Sequence, residues 1–140
     1  MVKLRLRRKG RTHHPIYDIV AVDSRKRRDG AYIERLGYYD PHQNTKTINI
    51  NHERAIYWLN VGAQPTNVVR LLMSYDGVLL RRALQKQGRN QEEIEAEIAK
   101  HHKIVAERYQ RRKEIRRKRI EAKKKAEQEA QNQPQETAAE

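Results

Sequence analysis

The clearest pattern in the chain is the alternation of VKLRLRR, residues 2–8, in which Val2, Leu4 and Leu6 point one way and Lys3, Arg5 and Arg7 the other. A period of two marks a strand with one buried face. IYDIVAV, Ile16–Val22, is apolar almost throughout and predicts a central strand. AYIERLGYY, Ala31–Tyr39, predicts a third strand whose alternation slips near Glu34 and Arg35, with Gly37 as a candidate bulge and Asp40–Pro41 as its end. TKTINI, Thr45–Ile50, predicts a short fourth strand with Ile48 and Ile50 on one face.

The period then changes. Asn51 suits the N-cap of a helix through HERAIYWLNV, with Ile56 and Leu59 inward and Gly62 as a stop. Pro65–Thr66 opens a second helix, NVVRLLMSYD, whose Val69, Leu72 and Met73 share a face before Gly77 ends it. VLLRRALQKQG carries a third apolar run to Gly88. Strands followed by helices predict an α+β domain over residues 1–88, a small sheet of four to five strands with short helices packed on one face. From residue 89 the pattern is helical but polar. Asn90 and Glu93 resemble a capping box, and Glu92, Glu95 and Glu97 suit the positive end of a helix dipole. Apolar residues are too sparse for a coiled coil. A charged helical extension over 89–127 and a disordered tail over 128–140 are the expectation.

Charge sharpens this picture. The chain has 31 Lys and Arg against 18 Asp and Glu, a formal net charge of +13. Such an excess calls for a polyanionic partner, and nucleic acid is the commonest. The rival is an anionic membrane surface. No apolar run is long enough to span a bilayer, no secretory signal is readable, and residues 103–125, with twelve cations and three anions, lack the apolar face of a surface-lying helix. There is no cysteine, which excludes disulfides and thiolate metal sites and suits a reducing cytoplasm.

Two cation clusters stand out. Arg25, Lys26, Arg27 and Arg28 are consecutive, just before Asp29–Gly30, a turn signal that thrusts them outward. Lys3, Arg5, Arg7, Arg8, Lys9, Arg11, His13 and His14 form the other, with Arg7–Arg11 placed in a loop between the first two strands and Gly10 allowing close approach of a phosphate. Arginine predominates, which favours phosphate forks and stacking on unpaired bases. Charges guarding an edge strand account for Lys3 and Arg5 but not for Arg7–Arg11. Arg35 and the aromatic pair Tyr38–Tyr39 complete the candidate RNA-binding set, with Tyr39 as the stacking ring.

Catalytic and metal chemistry is thinly supported. His13 and His14 are adjacent and would point to opposite faces of a strand. Glu97 and His101 have no third ligand at matching spacing. Asp18, Asp23 and Asp29 could hold Mg²⁺ in a nuclease, the main rival to a binding role, but alternation puts Asp18 and Asp23 on different faces. GxxxxGK[ST], GxSxG and HExxH are all missing. No enzyme activity, cofactor or small-molecule substrate is expected.

VKLRLRRKGR, HPIYDIVAVDSR, RDGAYIERLGYYDP and ERAIYWLNVGAQPT, in that order from Val2 to about Val78, resemble the S-sixteen family of bacterial small-subunit ribosomal proteins. The resemblance implies a mixed sheet, no catalytic site, and a cytoplasmic ribosomal location. It also implies binding to the 5′ domain of small-subunit ribosomal RNA during assembly, with neighbouring ribosomal proteins as further partners. It implies RNA contacts at Arg5, Arg7, Arg11, Arg25 and Arg28 and a structural role for Asp29–Gly30. Asp18 departs from it, standing where a basic residue or histidine is usual.

Overall fold

In a computed structural model that describes residues 1–43 and 47–136, the chain forms a five-stranded sheet in the order β4–β3–β2–β1–β5. β1 (Val2–Arg11) and β2 (His14–Asp23) make a hairpin in register from Val2 opposite Asp23 to Arg11 opposite His14. β3 (Glu34–Asp40) and β4 (Thr47–Ile50) continue the sheet antiparallel. β5 (Gln64–Pro65) runs parallel to β1 at Lys3 and Leu4 alone, which makes the sheet mixed. Four helices complete the fold: α1 (His52–Asn60), α2 (Asn67–Asp76), α3 (Val78–Lys86) and α4 (Gln91–Glu136).

One face of the sheet carries the core. Leu4 of β1 and Ile19 and Ala21 of β2 are wholly buried, and they pack with Ala55, Ile56 and Leu59 of α1 and Val69, Leu72 and Met73 of α2. Each large aliphatic side chain so buried contributes about 1.5–3 kcal/mol. Local chemistry fixes the helix ends as the sequence predicts. Asn51 Oδ1 accepts the Arg54 N–H at 3.1 Å. Gly77, at φ 85°, ends α2 in the left-handed conformation that only glycine adopts freely.

β3 begins later than its sequence pattern predicts, at Glu34, with Ala31, Tyr32 and Ile33 exposed ahead of it. The strand also carries a bulge. Ile19 pairs with Gly37 and Val20 with Arg35, so Leu36 is an extra residue with no partner on β2. Its side chain drops into the core at 2 % exposure, and its carbonyl accepts the Asn51 N–H at 2.8 Å, seating the start of α1. Gly37 serves a different purpose. A Cβ there would stand 2.0 Å from the Asn49 carbonyl oxygen, so the glycine admits β4. Of the predicted fourth strand, Thr45 and Lys46 lie outside the described residues.

β5 is too short to leave a periodic trace. The start of α4 packs back on the domain: Ile94 and Ile98 are buried with Leu84 and against Leu80. Met1–His102 is therefore one compact unit, and the chain from Lys103 is another. α4 is helical through Glu136, beyond residue 127, where composition alone ends the extension.

Candidate nucleic-acid interface

The pairing register decides what occupies the sheet face opposite the helices. Residues directly opposite each other share a face. Lys3 faces Val22, Arg5 faces Val20, Arg7 faces Asp18, Lys9 faces Ile16 and Arg11 faces His14. On β3, Tyr38 is opposite Asp18 and Arg35 opposite Val20. Six cations, Lys3, Arg5, Arg7, Lys9, Arg11 and Arg35, thus share the face that the helices leave open.

This corrects the connecting loop expected at Arg7–Arg11. β1 runs through Arg11, and the turn is only Thr12 and His13, with His13 at φ 67°. Gly10 makes the long hairpin possible. It sits at φ 91°, and a Cβ would meet the His14 carbonyl oxygen at 2.5 Å. Its lack of a side chain serves strand pairing. Arg8 alternates onto the helix side, where it is exposed beyond the core. His13 and His14 are exposed, and the His14 ring stacks on His42 with centroids 4.3 Å apart.

Arg25, Lys26, Arg27 and Arg28 are all exposed, on a loop that folds over part of the same face. Beneath it Val20 and Val22 are each 1 % exposed. The Arg5 guanidinium donates to the Lys26 carbonyl at 3.0 Å and also to the Arg27 carbonyl. The Arg7 guanidinium lies 5.1 Å from the Tyr32 ring centroid, a cation–π contact. Asp23 Oδ1 accepts the Arg25 N–H at 2.9 Å, and this bond chiefly holds the Asp23 carboxyl below its ordinary pKa. The cation loop is therefore tied down from behind, through its backbone, while its side chains face outward.

Two of these candidate cations are already matched within the chain. Arg28 pairs with Asp29 at 2.9 Å, and its hydrogen bond is the main reason the Asp29 pKa is lowered, with Arg7 and Arg5 adding smaller contributions. Arg35 Nε donates to Asp18 Oδ1 at 3.0 Å, where Asp18 is only 4 % exposed. Arg25, Lys26 and Arg27 make no ion pair among the described residues.

Tyr39 does not share this face. It stacks on Tyr17, centroids 6.2 Å apart, and packs against the core. Unbroken alternation would put Tyr39 on the side of Arg35; the extra residue Leu36 exchanges the two tyrosines and brings Tyr38 there instead. Tyr38 joins Lys9, Gly10, Ile16, Asp18 and Arg35 around a shallow pocket at the end of the face that the loop leaves open. The contribution of Tyr32 and the Asp18–Arg35 pair have no local signal in the sequence, because their partners lie on other strands.

The three aspartates of the nuclease alternative do not converge: Asp18 is engaged by Arg35, Asp23 by the Arg25 amide and Asp29 by Arg28. Among the described residues no group of three or more His, Cys, Asp or Glu is placed to hold a metal, and no helix is long and apolar enough to cross a membrane.

Comparison with known proteins gives a consistent result. The family described as Ribosomal protein S16 matches residues 8–66. Relatives from several bacteria carry the name small ribosomal subunit protein bS16. That of Chlorobium phaeobacteroides (strain DSM 266) is 44% identical over 127 residues, 91% of this chain and 94% of its own length. That of Chloroherpeton thalassium is 45% identical over 122 residues, 85% of this chain and 90% of its own. That of Azobacteroides pseudotrichonymphae is 51% identical over 82 residues, 59% of this chain and 50% of its own. With 91% of this chain aligned, the similarity to the first relative runs well into α4.

Proposed function

Because the chain belongs to the Ribosomal protein S16 family, and so is a structural constituent of the bacterial ribosome in the cytoplasm and not an enzyme, we propose that it binds small-subunit ribosomal RNA through the cation face of its sheet. The loop Arg25–Arg28 and the hairpin end at Lys9 and Arg11 bridge phosphates of separate RNA segments and hold them together during assembly. The 5′ domain is the region that the family resemblance implies, with neighbouring small-subunit proteins as further partners.

The observation that carries this reading is the loop's attachment. Four cations crowd an exposed loop whose backbone is fixed to the sheet by Arg5, over a face that bears five more Lys and Arg residues. Such crowding is unfavourable in a free protein and is relieved by a phosphate backbone. Filter binding to small-subunit ribosomal RNA tests it. The logarithm of the affinity should fall by roughly 0.7–0.9 per neutralised phosphate for each log unit of salt. An affinity unmoved between low and moderate salt would overturn the clamp.

Residues 103–125 supply a second contact in this reading. They carry twelve cations against three anions, and their side chains are exposed except at Val105 and Tyr109, which are half-buried. A polar helix of this kind gains little from burying its own surface, and an RNA backbone lying along it would offset its charge.

A further inference from the structure

Resting on that reading of the sheet face, we propose that the pocket between Lys9 and Tyr38 receives one unpaired nucleotide of the RNA. Its base stacks on Tyr38 and its phosphate is held by Lys9 and Arg35. The pocket has a volume of about 280 Å³ and is lined by Lys9, Gly10, Ile16, Asp18, Arg35 and Tyr38. That is close to the lower end of ligand cavities, roughly 300 Å³, a size for a single base and not for a duplex.

Its walls match the parts of a nucleotide. Tyr38 is a half-buried ring beside the apolar Ile16, and an aromatic ring accepts the face of any unstacked base. Lys9 is exposed at the rim. Arg35 gives Nε to Asp18, and its side chain remains 47% exposed, so its terminal nitrogens stay available to a phosphate. Asp18 adds a hydrogen-bond acceptor to the pocket. A carboxylate offers about four acceptor sites, and Arg35 is the one hydrogen-bond donor placed on it among the described residues. A base that presents an N–H at its edge, exocyclic amino or ring imino, can donate to the remainder. The site therefore takes a base of a single-stranded stretch, its N–H edge toward Asp18.

The test is nucleotide-resolution chemical probing of small-subunit ribosomal RNA with the full chain, together with filter binding. Tyr38→Leu keeps an apolar strand residue but removes the ring. It should weaken binding by about ten- to a hundredfold, the effect of losing one base stack, and unprotect one unpaired nucleotide. Tyr38→Phe should behave like the parent. Lys9→Glu, at an exposed strand position that leaves the core untouched, should unprotect the same nucleotide, and thermal melts confirm that each variant folds. A double variant, Arg25→Glu with Arg27→Glu, reports on the cation face away from the pocket. If it weakens binding while Lys9→Glu and a folded Tyr38→Leu leave affinity and every reactivity unchanged, the pocket assignment is wrong and the wider face stands. If the double variant also binds like the parent, both are wrong.

Discussion

At Gly37 the sheet has no room for a methyl group. A Cβ there meets both the carbonyl oxygen of Asn49, at 2.0 Å, and the Ile50 Cα, at 2.9 Å, and these are backbone atoms that cannot swing aside. Gly37→Ala must push β4 off β3, and it should lower stability by roughly 1–3 kcal/mol, the range for forced overpacking, read as a lower urea midpoint. A few residues away Glu34 takes two hydrogen bonds from Arg54, each at 2.7 Å, and one from Trp58 Nε1 at 2.8 Å. These, the Arg54 bonds first, lower its pKa from 4.5 to about 2. The folded value lies below the unfolded one, so the stabilisation is complete above pH 4.5 and drains away as acid takes the pH down toward about 2. Glu34 is partly solvated, which limits the effect to the order of 1 kcal/mol. Urea midpoints across that window should fall in the parent and fall less steeply in Glu34→Gln.

Among the elements, those decided by neighbours in sequence are legible and those decided by distant partners are not. The alternation of Val2, Leu4 and Leu6, the apolar run of β2 and the Asn51 cap are local, and each gives its element directly. The bulge at Leu36, the two residues of β5 and the folding of the loop over Val20 depend on contacts that no period records. The second core cluster is of the same kind and matters for where the chain can be cut. Truncation after His102 should leave the thermal melt of the first unit unchanged, because Ile94 and Ile98 stay in place against Leu84. Truncation after Gly88 removes both isoleucines and should cost roughly 3 kcal/mol of burial. Because residues 103–125 lie along RNA in the proposed mode, the cut at His102 should also weaken RNA binding and reduce its salt slope. An unchanged slope would make this segment a solvated appendage.

For the molecule as a whole, the sheet separates two tasks: its helix side holds the apolar core, and its other side collects positive charge. The identity of the cations was legible from composition, and the side taken by Lys3, Arg5 and Arg7 from their period. The hairpin end differs from the connecting loop expected there: β1 runs through Arg11, and Gly10 allows close strand pairing. Tyr39, the expected stacking ring, packs against the core, and the extra residue Leu36 brings Tyr38 to the cation face in its place. At Leu36 a backbone irregularity of one residue moves a side chain from one surface to the other, which is the characteristic sensitivity of a period of two.

The hold of Arg5 on the Lys26 and Arg27 carbonyls has an entropic consequence. A free loop of this length would lose much of its conformational freedom on docking, and that loss would be subtracted from the affinity. Here the shape is imposed when the domain folds, by an arginine whose own charge is directed inward, so its neighbours arrive at their target already arranged. In the proposed binding mode, docking of this loop should then lack the large heat-capacity change that accompanies a segment ordering as it binds.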